Sequence, residues 1–173
     1  MVRSPGWTAA AVITTERLTL EPLRVQHADE LAPLLDDERL HEYIGGHPAT
    51  VEQLRARYAR LAVGRSADGT QGWYNWIARD HVLGTAVGTV QATLQERHGR
   101  TEAEIAWVVA VPHQGRGYAT EAAAAMCDWL LEHGTDVLIA HVHPEHRASM
   151  AVARRLGLTP TAVVVDGETR WTT

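Results

Sequence analysis

The sequence predicts an α+β fold in one domain, with a mixed central sheet of about six to seven strands and helices on both faces. Three observations support this class. Segments of alternating apolar residues are interleaved with segments of helical spacing, three strand-like segments follow one another, and 173 residues suffice for a single core. The predicted order is strand, two helices, three-strand meander, helix, strand, helix and hairpin.

The first part of the chain contains one predicted strand and two predicted helices. Leucines alternate with polar residues and predict a strand over 12–20, whereas helical spacing predicts a helix over 27–35. Thr50 is a typical N-cap, and Gln53 is placed to complete a capping box with it. These two residues predict the start of a second helix that runs through Ala62.

The middle of the chain predicts an antiparallel meander. Its strand-like segments are separated by polar, glycine-containing turns around Asp80 and Gly84 and at His98-Gly99. The predicted strands cover residues 73–79, 88–95 and 101–111.

The last part alternates helices and strands. Alanine-rich helical spacing is closed by a glycine, an apolar β-branched run follows, and an Asp166-Gly167 turn marks a final hairpin. The predicted elements are a helix from Ala119 that ends at Gly134, a strand over 137–142, a helix from Pro144 to Gly157, and strands over 161–165 and 168–171.

The composition excludes several classes of protein. A net charge of −5 and a pI near 6.0 leave no basic surplus for nucleic acid. No apolar run reaches the ~20 residues that span a bilayer, and residues 1–11 are interpreted as a loose lead-in rather than a signal peptide. The single Cys127 excludes an internal disulfide and suits a reducing compartment. We therefore expect a cytoplasmic protein with no nucleic-acid or membrane partner.

The stretch 109–126 predicts a strand, an anion-binding loop and a helix. Gly115 and Gly117 let backbone N–H groups turn toward a ligand without a Cβ in the way. The helix start adds unpaired N–H donors and the positive end of a dipole, and Arg116 adds a cation. The Walker pattern is absent, and Thr120 stands where the dinucleotide fingerprint needs glycine or alanine. The ligand is therefore expected to carry phosphate but to belong to another class.

This loop resembles motif A of the GNAT acyltransferases, which bind the diphosphate of acetyl-CoA. The pattern Gln/Arg-x-x-Gly-x-Gly/Ala is met by Gln114, Gly117 and Ala119, after Val-x-Val-Pro and before the alanine-rich helix. The element order is also that of the GNAT fold, so the resemblance covers about 15–171. It implies acetyl-CoA as co-substrate, no metal, and a cofactor site of Val109, Ala110, Val111, Gln114, Gly115, Arg116, Gly117, Tyr118, Ala119, Thr120, His146 and Ser149.

Transfer of an acyl group to an amine needs a base, because an alkylamine with a pKa of about 10 is protonated at neutral pH. Glu102 and Glu104 share one face of the third meander strand, since strand side chains alternate. Related enzymes use a strand carboxylate near this point as base, usually through water. The resemblance therefore implies Glu104 as base; an exposed glutamate without a catalytic role is the alternative.

The segment 143–157 is similar to motif B of the RimJ/RimL-type branch of the family, which modifies protein N-termini. Ser149 matches the serine of its Asn-x-x-Ser pattern. The resemblance implies that Ser149 bonds the CoA sulfur and returns a proton to the departing thiolate, and a serine bonded to its own helix is the alternative. His146 stands where asparagine is expected, and Ala153 stands where many GNAT enzymes carry a tyrosine acid.

Three histidines and the single cysteine were considered as metal ligands and as a nucleophile. His141, His143 and His146 are close enough in sequence to suggest zinc, but no fourth ligand is evident, so no metal is expected. Cys127 has no base nearby in sequence and is interpreted as a structural thiol. Because no convincing nucleophile is present for an acyl-enzyme, we expect direct transfer in a ternary complex.

The sequence therefore predicts an N-acetyltransferase that uses acetyl-CoA and a primary amine. The acceptor is either a protein N-terminus or a small amine, and a narrow closed cleft would favour the small amine. Trp73, Trp76, the 45–47 turn and the 65–71 loop are expected to flank the acceptor cleft, and at least one of the two tryptophans is expected to pack in the core instead. A CoA-binding sensor or partner protein with little catalysis is the alternative function. The oligomeric state stays open, a homodimer included.

Overall fold

The computed structural model describes residues 6–173 as an eight-stranded sheet flanked by helices. The strands are β1 (Ile13–Thr14), β2 (Leu18–Pro22), β3 (Gln71–Asp80), β4 (Ala86–Arg97), β5 (Arg100–Val109), β6 (Val137–Val142), β7 (Thr159–Val165) and β8 (Glu168–Thr172). The helices are α1 (His27–Leu34), α2 (Val51–Leu61), α3 (Tyr118–Glu132) and α4 (Arg147–Arg155), with 3₁₀ helices at Glu38–His41 and Val111–His113. The strand order is β1-β2-β3-β4-β5-β6-β8-β7, so the predicted α+β class is confirmed and the strand count is slightly higher than predicted.

The predicted strand over 12–20 is wrong in one respect, because it is two antiparallel strands joined by a turn. Thr15 N–H donates to the Leu18 carbonyl (2.8 Å), and the Thr15 hydroxyl accepts from Leu18 N–H (2.9 Å). The turn reverses the chain so that Ile13 pairs with Leu20. Apolar alternation did not reveal this turn, since both strands keep a period of two residues.

The predicted helix starts are confirmed except at α4. The Thr50 hydroxyl accepts from Gln53 N–H (3.2 Å), and the Gln53 side chain accepts from Thr50 N–H (2.9 Å), which completes the capping box of α2. The helix α4 begins at Arg147 rather than at Pro144, because His146 N–H donates to the His143 carbonyl (2.9 Å) in a preceding turn.

Helices cover both faces of the sheet. On one face, α3 and α4 pack on the larger core, in which Trp76, Met126 and Leu130 have no exposed surface. On the other face, α1 and α2 enclose a smaller core that includes Leu31 and Ile77. This arrangement confirms the predicted layers and holds the starts of α3 and α4 against the strands that precede them.

A gap opens in the sheet between β5 and β6. These neighbours are parallel and pair only through Glu102–Glu104 with Val137–Ile139. Beyond that point, β5 stays paired with β4 and β6 stays paired with β8. Since the β5–β6 pairing ends at Glu104 and Ile139, the two strands separate toward their carboxyl ends, which lead to α3 and α4.

Residues 6–12 form neither helix nor strand, but they contact the rest of the fold. Trp7 Nε1 donates to the Gly69 carbonyl (3.2 Å), and Trp76 Nε1 donates to the Ala11 carbonyl (2.7 Å). Residues 1–5 of the predicted lead-in lie outside the described residues. In the described part of the chain, no helix is long and apolar enough to cross a membrane.

Candidate active site

The glycine loop lies between the 3₁₀ helix Val111–His113 and α3. Gly115 and Gly117 have φ values of 74° and 81°, which place both in the left-handed region. Gly117 is the N-cap of α3, and in the described part of the chain the helix start has no side-chain cap. The first-turn N–H groups of α3 are therefore free to bind an anion.

An ion pair between Arg17 and Glu121 links the glycine loop and the first turn of α3 to the turn between β1 and β2. One carboxylate oxygen of Glu121 accepts from the Thr15 hydroxyl (2.6 Å) and from Arg17 N–H (2.9 Å), and the other accepts from Arg17 Nε (2.6 Å). Arg17 Nη1 donates in turn to the Arg116 carbonyl (2.9 Å). Burial alone would raise the pKa of Glu121, but the hydrogen bonds from Thr15 and Arg17 hold it below its usual range. Sequence reasoning missed Arg17 because its partner is distant along the chain.

The side chain of Tyr118 points into the fold. Its hydroxyl donates to the carboxylate of Asp80 (2.6 Å), which also accepts from Val82 N–H and Leu83 N–H, each at 2.8 Å. The hydrogen bond to Asp80 raises the pKa of Tyr118. Tyr118 thus ties the start of α3 to the β3–β4 turn and offers a ligand mainly its backbone and ring.

The loop forms one end of a cleft of about 610 Å³, which we call the donor cleft. Among the predicted cofactor residues, Ala110 and Arg116 do not line it; Ala110 is fully buried, and its N–H donates to the Val87 carbonyl (2.9 Å). Arg39, Tyr43 and Arg155 line it without having been predicted. The predicted residues that line it are Val109, Val111, Gln114, Gly115, Gly117, Tyr118, Ala119, Thr120, His146 and Ser149.

The donor cleft fits the phosphate-bearing ligand that the loop predicts. An uncapped helix start and two glycines form one end of it. His113 lines the same cleft, and its buried Nδ1 finds no hydrogen-bond partner among residues 6–173. Arg155, in the last turn of α4, adds a cation to the lining. Donors and cations of this kind suit phosphate groups.

The opposite end of the donor cleft carries the motif B residues. Ser149 lies in the first turn of α4, and the N-cap residue His146 stacks on Tyr43 with ring centroids 4.3 Å apart. Burial lowers the pKa of His146. Ala153 has no exposed surface, so the position of the usual tyrosine acid points into the core. No sequence pattern indicated that Tyr43 would reach this end.

The predicted base Glu104 lines neither large cleft. Its Oε1 lies 3.0 Å from Nδ1 of His141, across the β5–β6 pair, and its side chain is 60 % exposed. His141 lines a small pocket of about 60 Å³ in the β5–β6 gap, together with Trp107, His146 and Ser149. Because a carboxylate only accepts, Nδ1 carries the proton and Nε2 presents its lone pair.

A second cleft of about 310 Å³ lies between the sheet and α1, α2 and the 38–47 segment, and we call it the acceptor cleft. His47 lines it as predicted, whereas Trp73 and the 65–71 loop do not. Trp76 borders the cleft, but its side chain has no exposed surface and packs in the larger core. Leu40, Trp107 and Val108 line both the donor and the acceptor cleft, so the two clefts meet there. Trp107 also lines the small pocket that holds His141.

Other reactive groups are differently placed. Within residues 6–173, no group of three or more histidine, cysteine or acidic side chains is arranged to hold a metal. Cys127 is buried in the larger core, and burial raises its pKa to about 12. A thiol in this state is a poor nucleophile.

The sequence and the fold were compared with known proteins. The family described as acetyltransferase (GNAT) domain matches residues 17–159. The uncharacterized N-acetyltransferase p20 of Bacillus licheniformis is 26% identical over 157 residues, which is 89% of this chain and 85% of that one. The uncharacterized protein YkkB of Bacillus subtilis is 34% identical over 84 residues, which is about half of each chain (48% and 49%).

The fold resembles that of solved acetyltransferases. The ribosomal-protein-S5-alanine acetyltransferase of Vibrio fischeri superimposes with a TM-score of 0.75 at 15% identity, over 95% of this chain and 96% of that one. At this identity the likeness shows a shared fold. Because the family match extends over residues 17–159, the predicted family is confirmed: the chain belongs to the GNAT acetyltransferases, which use acetyl-CoA.

Proposed function

We propose that the chain is an N-acetyltransferase that passes the acetyl group of acetyl-CoA directly to a primary amine in a ternary complex. The observation that carries this proposal is the meeting of the donor and acceptor clefts at Leu40, Trp107 and Val108. A shared wall lets two substrates lie side by side, which is what direct transfer requires.

The donor cleft holds the co-substrate in this proposal. Acetyl-CoA supplies an acetyl group activated as a thioester. The N–H groups at the start of α3 and the side chain of Arg155 bind phosphate oxygens. Gln114 Nε2 donates to the Val109 carbonyl (3.0 Å), which leaves the second lone pair of this oxygen for a pantetheine amide.

Glu104 and His141 remove the proton of the acceptor amine. The Nε2 lone pair of His141 takes the proton, directly or through one water, and the carboxylate of Glu104 stabilises the imidazolium. The amine lone pair then forms the new C–N bond, the C–S bond of the thioester breaks, and the second proton of the nitrogen leaves to solvent. The position of His141 in the pocket beside Trp107 supports this role.

Ser149 returns a proton to the departing thiolate, and the hydroxyl is replenished from solvent. Ser149 lines both the donor cleft and the small pocket that holds His141, which supports this role. Tyr43 and His146 wall the same end and limit access of water. A covalent acyl-enzyme through Cys127 is disfavoured, because this thiol is buried and has a raised pKa.

The test is turnover of acetyl-CoA, followed as release of free thiol, across peptides with free N-termini and small primary amines. We expect an acetylated amine, identified by mass spectrometry, and intersecting lines in double-reciprocal plots. Parallel lines would overturn direct transfer. Tight binding of CoA without turnover of any amine would instead favour the sensor or partner protein, a function suggested by His146 and Ala153 at the motif B positions.

A further inference from the structure

The lining of the acceptor cleft is basic, although the chain as a whole is acidic. The protein contains 21 acidic and 16 basic side chains, yet none of the aspartates and glutamates among residues 6–173 lines this cleft. The groups in its lining that can carry positive charge are Arg57, His41 and His47. The cleft is therefore suited to a ligand with a negative group.

Arg57 is the fixed positive charge of the cleft. It lies on α2, and within residues 6–173 no carboxylate oxygen is found within 4.0 Å of its guanidinium, although six other arginines have such a partner. Its neighbour Tyr58 is buried in the wall of the same cleft. Burial raises the pKa of Tyr58 to about 12, and the positive charge of Arg57 opposes this increase.

Three carboxylates on the elements around the cleft face other groups or another site, and one of them, Glu42, lines the donor cleft. Glu38 lies 3.3 Å from Nδ1 of His47, and Glu104 faces His141. Glu104 also precedes the lining residue Ala106 by two residues on β5, which places it about 7 Å along the strand from the cleft wall. These carboxylates are not placed to neutralise Arg57.

The remaining walls are apolar or neutral. Leu23, Leu54 and Ile77 supply apolar surface, while Asn75 and Gln91 are cross-strand neighbours on the sheet floor. A volume of about 310 Å³ is at the small end of ligand pockets, which span about 300–1,000 Å³. The cleft therefore suits one compact molecule better than an extended chain.

We propose that the acceptor is a small amine with an apolar body and a free carboxylate, which pairs with the Arg57 guanidinium. An amino acid with an apolar side chain has this chemistry. Arginine binds a carboxylate through two parallel hydrogen bonds, which also fixes the orientation of the amine. A polyamine would bring further cations toward Arg57, and a protein N-terminus has no carboxylate beside its amine. This inference rests on the proposed N-acetyl transfer.

The experiment compares matched acids and amides. Leucine, methionine and phenylalanine are assayed beside their amides and spermidine, with the unaltered chain, Arg57→Gln, and Arg60→Gln as control. Arg60 lies one turn along α2 but does not line the cleft, so its loss changes the charge alone. We expect kcat/KM to favour the acid of each pair, and this ratio to fall about tenfold or more in Arg57→Gln only, as for loss of a charged hydrogen bond.

Binding is measured separately from turnover, by titration calorimetry with each acid and amide. Equal kcat/KM for acids and amides, or faster turnover of spermidine, would overturn the carboxylate inference and leave N-acetyl transfer standing. Binding of acids that depends on Arg57 but yields no turnover would support the inference and overturn the proposed transfer. No binding and no turnover of any amine would overturn both.

Discussion

Nδ1 of His141 and Oε1 of Glu104 are 3.0 Å apart and span the point at which the sheet divides. Glu104 is the last residue of β5 that pairs with β6, and His141 lies two residues beyond its partner Ile139. The pair therefore joins the two strands at the base of the gap. A histidine held by a carboxylate in this way has one tautomer and one orientation, which is the arrangement of a general base.

The first prediction separates the two members of this pair. His141→Gln is expected to lower kcat near neutral pH by about 10²–10⁴-fold, the usual contribution of a general base, and Glu104→Gln is expected to lower it less. The loss of kcat in both variants should become smaller as pH approaches the pKa of the free amine, because the acceptor then loses its proton in solution. The measurement is the pH profile of kcat. A wild-type profile for His141→Gln would exclude it as base, and a larger loss in Glu104→Gln would return that role to the glutamate.

Local patterns in the sequence predicted the parts of the site that depend on neighbouring residues. The capping box of Thr50 and Gln53 forms within four residues, and the glycine loop with the start of α3 forms within ten. Such features are fixed by backbone preference and short hydrogen bonds. They were therefore readable without knowledge of the fold.

The rest of the site depends on contacts between distant residues. Glu121 meets Arg17 at a separation of 104 residues, and His141 meets Glu104 at 37. Tyr43 reaches His146 from a 3₁₀ helix and loop that have no strong sequence signal. These pairings follow from strand register and helix placement, which a single sequence does not specify.

The second prediction tests the glycine loop. Gly117→Asp puts a side chain and a negative charge at a position with a φ of 81°, at the free start of α3. We expect affinity for CoA to fall by more than about tenfold, because the new carboxylate repels the diphosphate and a non-glycine residue is strained there. The measurement is titration calorimetry with CoA.

Gly134→Asp is the matched control for Gly117→Asp. It lies just beyond the opposite end of α3, has a φ of 93°, and an added Cβ would meet nothing within 4 Å. It reproduces the backbone strain but not the position in the cleft. Equal affinities in the two variants would show that the loop does not bind the diphosphate.

The third prediction concerns the close contact between β4 and β5. A Cβ on Gly88 would overlap the Val108 carbonyl oxygen, so Gly88→Ala must push the end of β5 away. We expect the free energy of unfolding to fall by about 1–3 kcal/mol, as for overpacking. We also expect KM for acetyl-CoA to rise, because Val108 and Val109 line the donor cleft.

Gly72→Ala serves as the comparison for Gly88→Ala. Its Cβ would meet the Trp7 side chain at 2.7 Å, and a side chain can turn away where a backbone carbonyl cannot. Urea denaturation and initial rates measure the two effects. The account of Gly88 would fail if Gly88→Ala left both KM and stability as in the unaltered chain.

The last prediction is the pH dependence of stability that arises from His27. The His27 side chain is 9% exposed; its Nδ1 accepts from Arg24 N–H (3.0 Å), and its Nε2 lies 3.3 Å from Glu21 Oε2. Burial lowers its pKa below the ordinary 6.5, although Glu21 opposes this shift. Above pH 6.5 the ring is neutral in both states and its contribution is complete. As pH falls through 6.5 toward the lower pKa of the folded state, the unfolded chain takes up the proton first, and stability is lost.

His27→Gln keeps an acceptor and a donor but does not titrate, so its free energy of unfolding should fall less between about pH 7.5 and about pH 5 than that of the unaltered chain. His146, whose pKa burial also lowers, is present in both proteins, and the difference between their curves isolates His27. His81→Gln, at an exposed position, controls for the loss of one histidine. The measurement is urea denaturation at a series of pH values. Parallel curves for His27→Gln and the unaltered chain would mean that the buried ring does not couple folding to pH.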